Sequence, residues 1–535
     1  NWRSGLSIAV VSVPLSISFA IASGADPIMG LITSAWAGLA GAIFGGSNFN
    51  VISPAGAFAG ILTVVSLAYG VEAIPMVTIL AGIFIYIGHL LNVQKFLKFV
   101  PGGAVFGFTL GIAAIIAGSQ INAALGLTDL IVHETILMNI FESLKNVASL
   151  DITTVSIFTI FLALLFIISK LVKQIPSIII VTPIGILLGW LATKGYVALT
   201  FLTLEGKYGS LGSQLVQIPR FMFDWNFIVP AITIALVGIL ETMLSAKIAD
   251  NMTDTRHNES KEMRGLAIAN IVSGLVGGMP ATGVLGPTVL NIKMQAESRY
   301  SAILKAVFVA LITVLFFFLF KFIPMPVIAA ILFYVAISMV QTKKFWLYYK
   351  HDKYALGIGV IVAALTLYKD PATGILVGSF IGLLIFAENV SRGSYHAVHN
   401  SDSHDKKISV HTQEKFTSKD NFNILVYTVR GVLSHLSSDA HIARIASIDE
   451  NALKHIVIRM REVVYIDIEG IENLDRMITI LRKKKISVLL SGIDENTDHM
   501  LRIHSKYYAE LEKQGHVYIK TRFALKSMGV PLPKE

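Results

Sequence analysis

Long apolar stretches separated by short polar breaks make up most of the first 390 residues of the chain. They form two sets of seven. The first set lies near residues 5–23, 27–45, 54–69, 73–94, 100–125, 154–172 and 176–193, and the second near 226–249, 264–278, 283–292, 301–320, 322–340, 354–368 and 372–388. Because a helix needs about 20 apolar residues to cross a bilayer, the pattern predicts membrane helices. The third and tenth segments are too short or too interrupted to span as ordinary helices.

Composition also predicts a multi-pass integral membrane protein. Hydrophobic residues make up 54% of the chain and charged residues 15%, whereas soluble domains carry about 25% charged residues. The net charge of +9 is explained more simply by basic residues at cytoplasmic helix ends than by nucleic-acid binding, so no nucleic-acid partner is expected. The chain contains no cysteine, which excludes disulfides, thiolate metal sites and a thiol nucleophile.

The distribution of charge predicts that both termini lie in the cytoplasm. With that orientation, the 247–264 loop is cytoplasmic, as are Lys95, Lys98, Lys170, Lys173, Lys293, Arg299, Lys343, Lys344 and Arg392. The outer loops hold mainly acids, among them Asp129, Glu134, Glu142, Asp151, Glu205 and Asp224. This asymmetry follows the positive-inside rule. Because each set contains an odd number of segments, two repeats of about 1–195 and 225–390 would have inverted topology.

Two stretches rich in glycine and proline occupy matching places in the two halves. They are "NVISPAGAFAG", Asn50–Gly60, and "GGMPATGVLGPTVLN", Gly277–Asn291. Such matched interruptions are the best sequence pointer to a transport site at the bilayer midplane. A half-helix that begins there presents unpaired N–H groups and a positive dipole end, which attract an anion. We expect Pro54 and Pro280 at strand-to-helix junctions. The alternative is that both stretches are kinks or small-residue packing motifs.

Glu241 lies in the middle of the eighth segment, where a charged side chain is expensive to keep. Ser245 follows one helical turn later on the same face. The two residues, with Gly283, are a candidate Na⁺ site lined by oxygen atoms. Alternatively, Glu241 carries a coupled proton, or it is a structural carboxyl group bonded within the bundle.

After about residue 390 the sequence pattern changes. Residues 393–420 are polar and predict a linker or a first extended segment. Residues 421–535 contain β-branched or aromatic runs such as "HIVIRMREVVYIDIEG" and "ISVLLSGI", separated by helical stretches such as Ile471–Lys484. Alternation of this kind predicts an α/β domain.

Several motifs closely resemble the sulfate permease (SulP) family of anion transporters. The motifs are "VPLSISFAIASGADPIMGL", "GGSNFNVISPAGAFAG" and "IADNMTDTRHNESKEMRGLAIANIVSGLVGGMPATGVLGPT". The resemblance implies seven plus seven inverted membrane segments in residues 1–392, divided into core and gate subdomains, with the anion between the third and tenth segments. It also implies a cytoplasmic C-terminal STAS domain and a homodimer in a bacterial inner or plasma membrane.

The resemblance further implies which residues contact the transported ions. Phe19 would form a wall of the anion site, and Glu241 and Ser245 match the family's cation-coupling positions. The substrate would lie between Ala55, Gly56, Ala57 and Gly283, Val284, Leu285. In related soluble domains a D-x-S-G loop is phosphorylated on serine, but here "DIEG", Asp467–Gly470, has Glu469 at that place. A dimerisation or stability role is therefore favoured over ligand sensing for the C-terminal domain.

Two departures from the family pattern bear on the substrate. Many members have arginine where this chain has Pro287, and threonine where it has Ala55. Loss of a fixed positive charge weakens binding of a divalent anion more than of a monovalent one. In lacking this arginine, the chain resembles the sodium-dependent bicarbonate transporters of cyanobacteria.

These features predict a secondary active transporter that carries bicarbonate by Na⁺ symport in an elevator-like movement. The alternatives are an H⁺-coupled sulfate or dicarboxylate symporter, an uncoupled exchanger or channel, and a sensor that does not transport. The chain has no Walker-type phosphate loop and no cluster of nucleophile and base, so we expect neither an enzyme nor any cofactor beyond the coupled cation.

Overall fold

The computed structural model describes residues 1–128, 130, 131, 133, 135–172, 175–209, 215–392, 411–417, 423–448 and 453–530. Asp129, Glu134 and Lys173 of the orientation prediction, and most of the predicted linker, lie outside these ranges. Contacts divide the chain into two compact units, Asn1–Gly382 and Leu383–Glu535. The division falls inside the last helix of the membrane part, earlier than the predicted domain boundary after residue 392.

The first unit is helical apart from two short strands, β1 (Ile52–Pro54) and β2 (Ala281–Gly283). The helices of its first half are α1 Trp2–Ala22, α2 Pro27–Phe44, α3 Ala59–Tyr69, α4 Ile74–Leu90, α5 Gly102–Ser119, α6 Ile121–Leu125, α7 Ile136–Lys145, α8 Ile152–Leu171, α9 Ser177–Thr193 and α10 Leu204–Tyr208. Those of its second half are α11 Ile228–Thr253, α12 Glu259–Leu275, α13 Leu285–Lys293, α14 Tyr300–Phe320, α15 Met325–Met339, α16 Thr342–His351, α17 Lys353–Tyr368 and α18 Pro371–Arg392.

Each of the fourteen predicted segments corresponds to a helix or to a strand followed by a helix. Within the described ranges, 9 helices are long and apolar enough to cross a membrane. The pattern did not predict α7, α10 and α16. These helices have 10, 5 and 10 residues, which is too short to cross a bilayer and therefore to produce a long apolar run.

The third and tenth segments are both interrupted, and their interruptions pair with each other. Strand β1 is antiparallel to β2, with Ile52 opposite Gly283 and Pro54 opposite Ala281. Pro54 ends β1 before a 3₁₀ turn at Gly56–Phe58 that leads into α3, as predicted. The prediction for Pro280 was wrong, because Pro280 precedes β2. The proline in the first turn of α13 is Pro287, where its missing N–H is not needed.

Close helix contacts in the first unit depend on small residues. Helix α5 packs along α17, and α12 packs on α4 and α2. A Cβ atom on Gly107 of α5 would lie 2.1 Å from the carbonyl oxygen of Gly359 on α17. Helix backbones can approach this closely only where a side chain is absent, as is common between membrane helices.

The second unit is a five-stranded sheet covered by helices. The strand order is β3 (His411–Thr417), β4 (Asn423–Leu433), β5 (His455–Ile466), β6 (Ser487–Ser491) and β7 (Val517–Tyr518). β3 pairs antiparallel with β4, and the other pairs are parallel. The helices are α19 His435–Ala446, α20 Ile468–Lys483, α21 Glu495–His504, α22 Tyr508–Lys513 and α23 Thr521–Ser527.

Both faces of this sheet are buried, as parallel sheets require. Leu425 and Tyr427 of β4 pack in one apolar cluster, while Ile424 and Val426 pack in a second cluster with Leu525 of α23. Helix α20 begins three residues earlier than predicted, because the Asp467 carboxylate caps it by accepting the N–H of Gly470 at 2.7 Å.

Candidate functional site

The two half-helices begin at opposite ends of the β1–β2 ladder. The 3₁₀ turn leading to α3 starts at Gly56, and α13 starts at Leu285. The N–H groups of Gly56, Ala57, Leu285 and Gly286 form no hydrogen bond with any residue in the described ranges. Strand rise places the two starts on the order of 10 to 15 Å apart. Each start is therefore an electropositive end with two N–H donors available.

The start of the first half-helix is closely packed. Ala55, Gly56 and Ala57 are buried, and so is Phe19 of α1. A Cβ atom on Gly56 would lie 3.1 Å from Phe19 Cε1 and 2.5 Å from Ile116 Cδ1. A larger residue here would have to displace the end of the Ile116 side chain. The structure thus places Phe19 directly against the predicted anion-binding segment.

The start of the second half-helix is more open. Gly283 is buried and Val284 is half-buried, but Leu285 is 39% exposed. Gly286 is exposed, and a Cβ atom there would meet nothing within 4 Å. Gly283 lies opposite Ile52, three residues before Ala55. The two predicted groups therefore border the ladder from its two ends, and the α13 end is the more exposed of the two.

The predicted cation ligands occupy two different environments. Glu241 on α11 is half-buried, and its carboxylate has no hydrogen bond or ion pair among the residues that the structure describes. Ser245 is buried, and its Oγ donates to Asn50 Oδ1 at 2.8 Å. Gly283 also adjoins the Asn50 side chain, and its N–H donates to Thr242 Oγ1 at 2.8 Å. Ser245 and Gly283 thus meet at Asn50, which the sequence did not single out.

Asn50 belongs to a buried polar network centred on Glu262 of α12. Glu262 Oε1 accepts from Asn50 Nδ2 at 2.7 Å, and Oε2 accepts from the N–H groups of Gly46 at 2.7 Å and Ser47 at 2.8 Å. Thr288 Oγ1 of α13 accepts the N–H of Val51 at 3.0 Å. The network joins the loop before β1 to α11, α12 and α13. Sequence reasoning missed Glu262 because acids beside a polar loop are usually solvated.

Lys305 of α14 is completely buried behind β1. Its Nζ donates to Ser34 Oγ at 2.8 Å, the Ser34 carbonyl at 3.0 Å, Ser53 Oγ at 3.2 Å and the Ile52 carbonyl at 3.3 Å. Within the described ranges no carboxylate forms an ion pair with this nitrogen. Sequence reasoning missed Lys305, although an ionisable residue inside a predicted span is a functional candidate by default. Its ammonium group would place a positive charge beside the strand that leads to Ala55.

Comparison with known proteins relates both parts of the chain to described families. A family model for the "Sulfate permease family" matches residues 2–362, and a STAS domain model matches residues 415–506. The Bacillus subtilis protein named "Putative sulfate transporter YvdB" is 29% identical over 93% of this chain and 92% of its own length. The bicarbonate transporter BicA of Picosynechococcus is 27% identical over 77% of this chain and 74% of its own length.

Solved structures show the same fold. The murine Solute Carrier 26 member A9 anion transporter in an inward-facing state gives a TM-score of 0.79 at 14% identity, over 98% of this chain and 90% of that chain. The transmembrane domain of a cyanobacterial BicA gives 0.59 at 24% identity, over 71% and 96%. The predicted fold class, a helical membrane domain of inverted repeats with a C-terminal STAS domain, is confirmed.

Proposed function

Because the chain belongs to the sulfate permease family, a family of anion transporters, we propose that it is a secondary active transporter of a small inorganic anion. The observation that carries the proposal is the pair of half-helix starts, each with two N–H groups that lack partners among the described residues. Donors of this kind bind an anion without a dedicated charged side chain. The open α13 start supplies access, and Phe19 closes the opposite end.

Bicarbonate is the proposed substrate. The first turn of α13 carries Pro287 and no basic residue, and Lys305 can supply one ammonium group behind β1. One positive charge balances a monovalent anion but leaves a divalent anion partly uncompensated. Relatives named as bicarbonate transporters and relatives named as sulfate transporters are both similar to this chain. Sulfate is therefore the second candidate.

Na⁺ is the proposed coupled cation, with Glu241 as its charged ligand. An unpaired carboxylate in a membrane helix is costly unless a cation or a proton joins it. The Ser245 hydroxyl donates a hydrogen bond to Asn50 Oδ1, so lone pairs on its Oγ remain available to a cation. We propose that the anion and cation then move together, as the elevator-like mechanism requires.

Uptake into proteoliposomes tests the proposed function. We expect labelled bicarbonate to accumulate when an inward Na⁺ gradient is imposed, and labelled sulfate to accumulate far less. Empty liposomes and a Na⁺ gradient collapsed by an ionophore are the controls. Accumulation of sulfate driven by a proton gradient would replace the first candidate by the second. Absence of uptake of either anion under every gradient would contradict transport altogether.

Lys305 is expected to raise anion affinity through its charge. Nζ contacts Ser53, two residues before Ala55, which places the charge roughly 10 Å from the first half-helix start. At an effective dielectric constant of about 20, that distance corresponds to an affinity change of roughly tenfold. Lys305→Gln should therefore weaken anion binding about tenfold in purified protein, measured by titration calorimetry.

Ser34 offers a test that leaves Lys305 in place. Ser34→Asp puts a carboxylate within reach of Nζ and cancels its charge, so it should weaken anion binding as Lys305→Gln does. Ser34→Asn is the matched uncharged control and should bind anion nearly as well as the unmodified protein. Equal binding by the Asp and Asn variants, with both folded, would show that Lys305 acts only as a packing element.

A further inference from the structure

The second unit contains a cationic cavity of about 300 Å³. Four basic side chains line it, from Arg459, Arg461, Lys520 and Arg522, together with Thr521 and the backbone of Gly492. None of the lining residues is acidic. The cavity lies within the second unit, and none of its lining residues belongs to the membrane domain.

The cavity lies at the carboxyl ends of the parallel strands. Gly492 follows the last residue of β6, and Lys520 lies just after β7. Pairing of β5 with β6 ends where Arg459 lies opposite Ser491, so Arg461 extends past the end of β6 and borders the opening. In open α/β sheets, ligands bind in the crevice outside the carboxyl ends of the strands.

The backbone at Gly492 keeps this crevice open to Arg461. Gly492 has a φ of +72°, and a Cβ atom there would lie 2.8 Å from Arg461 Cβ. Any other residue would be strained in this conformation and would crowd the arginine. The glycine therefore allows the Arg461 side chain to stand beside the ends of β6 and β7.

The cationic side chains that line the cavity differ in their partners. The side chains of Arg461 and Lys520 form no ion pair or hydrogen bond with the residues placed by the structure. Arg459 Nε is buried without a hydrogen-bond acceptor there. Glu462 Oε1 lies 3.9 Å from Arg459 Nη2, whereas Glu462 Oε2 accepts from Arg430 Nε at 2.5 Å. A buried N–H donor without an acceptor is costly, and an anionic ligand would satisfy it.

We propose that this cavity binds a small phosphate-bearing anion with at least two negative charges. Arginine forks match phosphate oxygens in a bidentate geometry, and the Thr521 hydroxyl can donate a further hydrogen bond. The volume is at the small end for ligand pockets, and no aromatic side chain lines it to stack on a base. The recognised group is therefore the phosphate, carried by a soluble metabolite or by a lipid headgroup.

Titration calorimetry with inorganic pyrophosphate tests this site in the purified full-length protein. Arg461→Gln combined with Lys520→Gln should raise the Kd for pyrophosphate at least tenfold, because two charges adjacent to the ligand are lost. Both side chains are exposed, so the double variant should keep its melting temperature. The matched control is Arg476→Gln combined with Lys513→Gln, two exposed cations of the same domain outside the cavity, and its Kd should not change.

The source of the phosphate is resolved by embedding the protein in nanodiscs. If a lipid headgroup occupies the cavity, phosphatidic acid in the disc should weaken pyrophosphate binding relative to phosphatidylcholine alone, and the double variant should lose this difference. If the ligand is soluble, the two discs should give the same Kd. Undetectable binding of pyrophosphate at millimolar concentration in both discs, or equal Kd values for the double variant and its control, would overturn the proposal.

Discussion

Glu241→Gln is expected to abolish the cation dependence of anion uptake while leaving the protein folded. The carboxylate is half-buried in α11 and has no partner in the described part of the chain, so its removal breaks no internal contact. A cation about 4 Å from a carboxylate gains about 4 kcal/mol at an effective dielectric constant of 20. Cation affinity should therefore fall on the order of a hundredfold or more. Uptake into proteoliposomes with and without a Na⁺ gradient measures the effect.

Two further variants make the Glu241 result specific. Glu205→Gln carries the same chemical change at a residue that pairs with Lys321 outside the site, and it should keep full coupling. Glu241→Asp retains a carboxylate and should keep part of the cation dependence. The proposed role of Glu241 is refuted if the Gln variant accumulates anion with the same response to the gradient as the unmodified protein.

Glu262→Ala is expected to destabilise the membrane domain by about 3 to 5 kcal/mol. Removal of the carboxylate leaves three donors without this acceptor, from half-buried Gly46 and from buried Ser47 and Asn50, and each unsatisfied buried donor costs roughly 1 to 3 kcal/mol. For a unit of this size, such a loss corresponds to a fall in melting temperature of about 5 °C. Thermal unfolding of the purified protein measures it.

Glu259→Ala is the matched control for Glu262→Ala. Both glutamates lie in the first turn of α12, so both substitutions remove the same favourable interaction with the helix dipole. Glu259 is exposed and accepts no buried hydrogen bond, so its loss should lower the melting temperature by only about 1 °C. Equal shifts for the two variants would mean that the Glu262 network contributes nothing beyond the dipole.

Local sequence patterns were sufficient to predict where the membrane segments lie and which two of them are interrupted. Apolar runs identify membrane-spanning helices because a helix needs about 20 apolar residues to cross the hydrocarbon core. Glycine and proline mark the places where a helix is interrupted. The same logic led to Gly56, which follows β1, and to Gly283, which ends β2 at the opposite end of the strand pair. The prediction that Phe19 lies against the anion-binding segment came from the family resemblance and not from sequence periodicity.

The polar contacts around the site could not be predicted in this way, because they join residues far apart in the chain. Asn50 and Glu262 are 212 positions apart, and Lys305 and Ile52 are 253 apart. No local pattern encodes which acid or lysine will become buried by a distant segment. The error at Pro280 has a related cause, since only strand pairing decides where β2 ends and α13 begins.

The ladder between β1 and β2 restricts how the transport cycle can proceed. It has three residue pairs, and each strand comes from a different half of the chain. Shifting one helix start without the other would break main-chain hydrogen bonds between two buried strands, which is costly. We therefore expect the two helix starts to move as one rigid unit. In the proposed elevator-like cycle, the anion would then change sides only when this unit slides against the rest of the membrane domain.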